Sequence, residues 1–350
     1  MINRIKKIIF FLISFAISGM LSAQDLHFSQ FFNAPLTTNP GNTGVFNGDI
    51  RAYTLYRMQW FTVTTPYKTI TLGVDAPIFK KRMPDDDFFA AGININNDNL
   101  GNINYMINSV NGSLSFTKYL GGRNEHDITI GYQVGYGFIT ANTKKLTWDS
   151  QYDMTSQTYY PGSGFDESYG GGGKGYLDMS TGLVWNFTSS DVFRSALGFS
   201  YHHFLSPNIS INGGEDRLLP KIGVQWNTAI RLNETSNVTF LPSIMAAQQG
   251  TSLLLNGGTC VRYVLGEGSR YTNYRSYKAV YIGGFYRFRD AAYMTFRFDV
   301  ANFAFALAYD VNISKLTPAS KTVGGVEFML QYKGTVGKFR RIKRHSERFL

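Results

Sequence analysis

The sequence is poor in the residues that carry covalent and catalytic chemistry. Of 350 residues, one is cysteine, Cys260, and five are histidine. A lone thiol excludes an internal disulfide, a cysteine-based zinc site and an iron–sulfur cluster. His27, His126, His202, His203 and His345 lack the His-x-x-x-His or Glu-x-x-His spacing of a helical metal site. The adjacent His202 and His203 are expected on opposite faces of a strand, as two lone residues. No GxSxG motif, acid pair or Cys–His arrangement stands out. The tract YGGGGKG is no phosphate loop, because Ser168 and Gly175 stand where a glycine and a hydroxyl residue are required. Asp85, Asp86 and Asp87 follow Pro84 without the remaining ligands of a calcium loop. The reading is of a chain that is not an enzyme and holds no cofactor and no metal.

Charge and long apolar runs are scarce as well. Only 17% of residues are charged, and the net +10 sits at the ends. Arg4, Lys6 and Lys7 open the chain, and residues 333–350 hold seven Lys or Arg, among them Lys338, Arg340, Arg341, Lys343 and Arg344, against Glu347. The body between is nearly neutral and has no continuous positive face for phosphates, so nucleic acid is not expected as a partner. Residues 1–23 combine a basic start, an apolar run from Ile8 to Ile17, and small residues at Ser18, Gly19, Ser22 and Ala23, the three-part pattern of a secretory signal peptide. Beyond them no apolar stretch reaches the roughly 18–20 residues of a spanning helix. An exported soluble protein and a membrane β-barrel are the classes left.

What the chain has in quantity is glycine (36), phenylalanine (28) and tyrosine (22), arranged with a period of two. From Ile128 to Phe138 every even position is apolar or aromatic, and the odd ones include Thr129, Gly131, Gln133, Gly135 and Gly137. The same alternation runs through GYLDMSTGLVWNF, KIGVQWNTAIRL and the stretch from Phe303 to Ile313, where Ala304, Ala306 and Ala308 oppose the aromatics. Fourteen strands follow, near 49–60, 67–75, 88–97, 105–120, 127–140, 176–188, 192–202, 218–231, 237–248, 251–264, 278–288, 291–300, 302–313 and 322–333. A soluble sandwich also alternates. Strand lengths near the 9–11 residues of a tilted crossing, an even count, and aromatics at strand ends such as Tyr53, Tyr56, Trp60, Phe285, Tyr286 and Phe288 favour the membrane.

The expected fold is therefore all-β: a closed antiparallel outer-membrane barrel of about 14 strands with an N-terminal plug-like segment. The chain divides into a signal peptide (1–23), the plug-like segment (24–48), the transmembrane barrel (49–333) and a basic periplasmic tail (334–350). Residues 24–48 lack alternation, and a fourteen-strand barrel is too wide for its own side chains to fill, which gives this segment a place in the lumen. With the N-terminus in the periplasm, the polar, Gly- and Tyr-rich excursion from Ala141 to Gly175 faces outward as a contact surface. The intervening segments 76–87 and 265–277 are long for periplasmic turns.

The string HFSQFFNAPLTTNPGNTG directly after the signal peptide, then YRMQW, GININNDNLGNIN, DMSTGLVWNF, LPSIMAAQQG, GGFYRFRDA and YDVNISKL with GGVEFMLQY, resembles the PorP/SprF family of type IX secretion membrane proteins over nearly the whole mature chain. The resemblance implies an outer-membrane barrel of Bacteroidota that serves type IX export, assisting or anchoring client proteins with C-terminal sorting domains, notably large adhesins, and supporting gliding motility. It implies as partners the exported client and other periplasmic or outer-membrane components of the pathway, beside outer-membrane lipid. The family-like positions are His27, Phe28, Ser29, Gln30, Asn33, Pro35, Asn39 and Pro40 in the segment, then Arg57, Gln59, Trp60, Arg287, Asp290, Tyr309 and Asp310. Arg57, Arg287 and Asp310 fall on lumenal faces, where a charge-paired network against the segment is expected, with Gln59 beside it. The basic tail is a second surface, for export components or anionic lipid. Two other readings stand: a FadL-like transporter of small hydrophobic molecules, whose Asn-Pro hatch motif Asn39-Pro40 matches loosely, and a soluble adhesin sandwich.

Overall fold

The computed structural model describes residues 25–63, 65–79, 83, 87–101, 105–120, 125–141, 151–159, 172–190, 192–211, 213–266, 277–314 and 317–335. The expected signal peptide, Asp85, Asp86, the start of the Gly-rich tract, His345 and the tail residues Lys338, Arg340, Arg341, Lys343 and Arg344 lie outside them.

The barrel strands are β1 (Ile50–Gln59), β2 (Tyr67–Ile78), β3 (Phe88–Leu100), β4 (Tyr105–Leu120) and β5 (His126–Thr140). A two-residue hairpin, β6 (Tyr152–Asp153) with β7 (Thr158–Tyr159), precedes β8 (Gly173–Thr188), β9 (Phe193–His202) and β10 (Lys221–Arg231). The wall continues with β11 (Val238–Gln249), β12 (Ser252–Gly266), β13 (Lys278–Arg287), β14 (Ala291–Val300), β15 (Phe303–Asn312) and β16 (Val323–Gly334). Leaving β6 and β7 aside, each strand pairs antiparallel with its sequence neighbours, and β16 returns to β1 in unbroken register from Ile50–Gly334 to Gln59–Gly325. Every one of the fourteen expected strands is present. No edge remains to be satisfied, the condition a sheet must meet in hydrocarbon.

Alternation sorts the side chains. Outward positions carry Ile93, Leu114, Tyr132, Ile282, Phe296 and Phe328, all strongly exposed in the isolated chain, as a surface that meets lipid must be. Inward positions carry Thr71, Thr117 and Thr129, each 0% exposed, with Ser115, Asn94, Gln133 and a set of charged residues. Glycine takes inward positions where the wall is approached closely. A Cβ at Gly131 would overlap the Pro40 carbonyl of the N-terminal segment, so only glycine fits.

Three details depart from the sequence reading. Tyr53 and Phe285, expected in an interfacial girdle, point into the lumen and are 4% and 5% exposed, because they share the inward parity of Arg57 and Arg287. His203 does not take the face opposite His202. It follows the last residue of β9 at φ 58°, a left-handed turn that swings its ring inward as well. The excursion after β5 also contains regular structure, since Asp153 accepts from Thr155 N at 2.8 Å and Ser156 Oγ at 2.8 Å and so closes the β6–β7 turn.

Leu114 lies near the middle of β4 on the lipid face. Leu114→Arg is expected to destabilise the barrel by about 2–4 kcal/mol in lipid vesicles, read from denaturant unfolding, whereas Leu114→Phe stays close to wild type.

Candidate functional site: the lumenal segment and its charged cradle

Because β1 begins and β16 stops at one end of the barrel, that end is here the terminal end; the opposite one is the far end. Residues 25–48 run between them inside the wall. The chain has little regular structure there, only a helical turn over Pro35–Thr38 flanked by two 3₁₀ turns, Phe31–Asn33 and Pro40–Asn42. Prolines at 35 and 40 preset φ at the start of two of these turns. Asn39 caps the last, its Oδ1 accepting from Gly41 N at 2.8 Å, and its Nδ2 donates to the carbonyls of Phe199 (3.1 Å) and Leu183 (3.3 Å).

Two apolar contacts hold the middle of the segment. Phe28, Ala34 and Leu36 pack on Tyr53, Leu55, Ala304, Ala306 and Met329, so the small inward alanines of β15 make the room. Phe32 stacks on Phe285 with ring centroids 5.3 Å apart, beside Tyr293 and Cys260. Buried polar groups then fix its height. Glu327 accepts from the backbone N–H of Ser29 (2.6 Å) and Gln30 (2.9 Å), and Ser29 Oγ donates to Asp310 at 2.7 Å. Arg287 donates to Asp310 at 2.9 Å and to Ser29 Oγ at 2.8 Å, and it also pairs with Asp290. Arg57 donates to the His27 carbonyl at 2.9 Å and lies 3.2 Å from Glu327 and 3.4 Å from Asp310. Gln59, with its amide oxygen turned toward Arg57, accepts from that guanidinium. Two guanidiniums thus face two carboxylates at 1–3% side-chain exposure, a balanced group that offsets most of the cost of removing its charges from water. Tyr293 adds a 2.6 Å hydrogen bond to the Ser29 carbonyl and one of 2.8 Å to Asn256.

Toward the terminal end a second pair repeats the device. Arg51 binds Asp75 with Nε at 2.9 Å and Nη2 at 2.8 Å, and Asp75 also accepts from Gly44 N at 2.7 Å. At the far end Asp25 pairs with Lys221 and with His203 Nε2 at 3.2 Å, while His203 Nδ1 meets Asp178 at 2.8 Å. Burial opposes the charged forms of both Asp25 and His203. The neighbouring opposite charges prevail, holding Asp25 well below the usual carboxylate range and raising His203 to about 9. Burial, with Arg57 and Arg287 nearby, keeps His27 well below the ordinary imidazole range.

The structure thus brings Arg57, Arg287, Asp310 and Gln59 together against Ser29 and Gln30, places Asn33 on Arg297 (2.8 Å), and sets Asn39 and Pro40 on β5, β8 and β9. Glu327, Arg51, Asp75, Tyr293 and the Asp25–His203–Asp178 group were not foreseen. Their signal was available in part: in VGGVEFMLQY, Glu327 holds an inward parity position between apolar neighbours, as Arg57 does in β1. Among the described residues, no group of three or more His, Cys, Asp or Glu is arranged to hold a metal.

A family model described as type IX secretion system membrane protein PorP/SprF matches residues 20–332. The chain belongs to the PorP/SprF family. As a closed barrel of that family it is an integral outer-membrane protein. A search of curated proteins finds no match. Similar solved structures include the Ralstonia pickettii toluene transporter TbuX (10% identity, 86% of this chain and 94% of that one, TM-score 0.49) and the monoaromatic hydrocarbon channel CymD (10%, 93% and 97%, 0.48). A Pseudomonas aeruginosa FadL homologue is also similar (10%, 86% and 94%, 0.44). These likenesses concern the barrel alone.

Two outcomes test the cradle. Asp310→Ala leaves two buried guanidiniums with a single buried carboxylate, Glu327, beside the exposed Asp290, and is expected to cost about 3–5 kcal/mol of barrel stability, and the Arg57→Ala/Asp310→Ala double variant less than the sum of the two single changes. If both singles unfold like wild type in a denaturant titration, the network has no structural role. The far-end latch sets a pH dependence. His203 is raised in the folded state, so its contribution is complete below about 6.5 and is lost as pH rises through about 9. Asp25 is lowered, so its contribution is present above about 4 and lost on further acidification. Hydrogen exchange at the Asp25 and Leu26 amides, corrected for intrinsic rates, is expected to accelerate above pH 9 in wild type and to lose that step in His203→Gln.

Proposed function

We propose that the protein is a plugged barrel that assists secretion, or surface retention, of type IX clients bearing C-terminal sorting domains, large adhesins of the gliding apparatus among them. The observation that carries this reading is the family match over nearly the whole chain. The lumen supports it. Residues 28–46 are mostly buried and tied to strands on every side, which suits a stopper around which a partner is held. In this reading residues 1–23 are removed on export, the terminal end faces the periplasm, and the basic residues Lys338, Arg340, Arg341, Lys343 and Arg344 meet export components or anionic headgroups there. The far end, with the excursion from Ala141 to Gly175, meets the client.

Uptake of hydrophobic molecules, the alternative, calls for an apolar pocket between segment and wall. The segment is instead surrounded largely by hydrogen-bonded polar and charged groups. A described apolar groove of about 430 Å³, lined by Tyr56, Phe296, Phe305, Leu307, Phe328 and Leu330, opens on the lipid face.

Affinity purification of the tagged barrel from crosslinked cells is expected to enrich a protein with a C-terminal sorting domain, and deletion of the barrel to remove that protein from the cell surface. Unchanged surface display in the deletion strain overturns the reading. Truncation after Gly337 is expected to lower display without changing barrel abundance.

A further inference from the structure

The lipid face is not evenly filled. Across β14, β15, β16 and β1, one register row runs from Phe298 through Phe305 to Thr54, and the next from Phe296 through Phe328 to Tyr56. Phe296, Phe305 and Phe328 are exposed, whereas Thr54 and Tyr56 are half-buried, as is every outward residue of β1. The strand forms the floor of the groove of about 430 Å³. Among its described lining residues, Thr54 and Tyr56 alone carry side-chain oxygens.

The groove has a direction. Because the strands are tilted, a register row climbs as it passes around the barrel. The row that begins at Lys278, the first residue of β13, reaches Ala52, the third of β1, and then Val134, the ninth of β5, all counted from the terminal end. The groove therefore rises from Phe298, near the terminal rim, to Tyr56, nearer the middle of the wall. Lys278 stands at its lower end, paired with Val300, the next outward residue after Phe298 on β14. The side chain is exposed and faces the lipid side, since its neighbour Ala279 is 0% exposed on the inner side. No described acid pairs with it: Asp299, beside Val300, points into the lumen and is held by Arg297 and Tyr281. Lys118, an outward lysine at the same end, is by contrast engaged with Asp87 at 3.4 Å. Between Lys278 and β1 the rings of Phe303 and Tyr332 lie 5.1 Å apart, an aromatic rim of the kind favoured at headgroup depth.

We propose that the groove is a site for one phospholipid, with an acyl chain laid over Thr54 and the headgroup phosphate on Lys278. Hydrocarbon is what an outward barrel face meets, and an unfilled groove would leave its rings without contacts on one side. Four adjacent strands about 4.8 Å apart give the groove a length of about 14 Å, which suits the roughly 15 Å of hydrocarbon in a single leaflet. A lysine at the end nearer the headgroups attracts the phosphate that an acyl chain in this direction brings with it. A second barrel is convex as well and would rest on Phe296 and Phe328 without reaching Thr54. The inference depends on the barrel standing in a membrane, not on the secretion role or on which client is served.

The test uses the protein as recovered from outer membranes, in mild detergent, titrated with dioleoyl phosphatidylglycerol or dioleoyl phosphatidylcholine and read by native mass spectrometry. Wild type is expected to take up one phosphatidylglycerol before any further lipid binds. Thr54→Phe fills the floor of the groove and is expected to weaken that first binding about tenfold or more for both lipids, while Thr54→Val retains it. Lys278→Gln is expected to abolish the preference for phosphatidylglycerol and to leave phosphatidylcholine binding unchanged. Heat-modifiable gel migration confirms that each variant is a closed barrel. The proposal is overturned if Thr54→Phe binds as wild type, if lipids add to wild type with no distinct first site, or if Lys278→Gln keeps the preference. It is equally overturned if wild type is a dimer that Thr54→Phe separates, since a second copy then occupies the groove.

Discussion

Hydrocarbon offers no partner to a backbone N–H or C=O, and the rest of this structure follows from that constraint. A sheet in lipid must close, because each unpaired edge group costs several kcal/mol. Closure between β1 and β16 meets the demand, and fourteen strands then enclose a lumen too wide for inward side chains to fill. The outer face is consequently apolar while the inner face is released from that rule and becomes polar. The inversion of an ordinary globular pattern, with leucine outside and threonine within, is the direct product of solvent choice on each side.

An irregular segment inside the lumen creates a second problem, since turns without ladders leave backbone groups unpaired. The barrel answers with side chains. Glu327 takes two consecutive N–H groups, Asp75 takes Gly44 N–H, Arg57 takes the His27 carbonyl, and Asn39 reaches the other way to carbonyls of the wall. Carboxylates used this way must be buried, and buried carboxylates need guanidiniums. Arg57, Arg287 and Arg51 are therefore consequences of the segment as much as ornaments of the wall. Such pairs add little net stability against apolar replacements, but a broken one is costly, so they define one position of the segment along the barrel axis better than greasy contacts would.

The wall was far more legible in the sequence than its contents. A period of two survives in any strand with unlike solvents on its faces, so the fourteen segments could be read from KIGVQWNTAIRL and its counterparts one at a time. Parity also assigned Arg57, Arg287 and Asp310 to the lumen. Residue type misleads at Tyr53 and Phe285, whose aromatic character suggests an interface although their register is inward. Parity fails at His203, where a left-handed residue ends the alternation. The partners inside the lumen were beyond reach for another reason: Ser29 meets Glu327 across 298 residues of chain. No local pattern encodes that pairing, and only the odd isolation of an inward acid among apolar residues hints that something must answer it.

The segment's contacts also set how it can move. Its anchors are distributed over both ends, with Asp25 on Lys221 and His203 at one and Gly44 on Asp75 at the other. Withdrawing any stretch strips donors from Glu327 or Asp75 at a buried site, where an uncompensated group costs far more than one at the surface. Partial withdrawal therefore loses contacts without gaining hydration in return until water enters the lumen. The docked arrangement is therefore favoured over partly withdrawn ones. Any group that takes its place must bring hydrogen-bond donors, N–H or O–H, to the same two carboxylates.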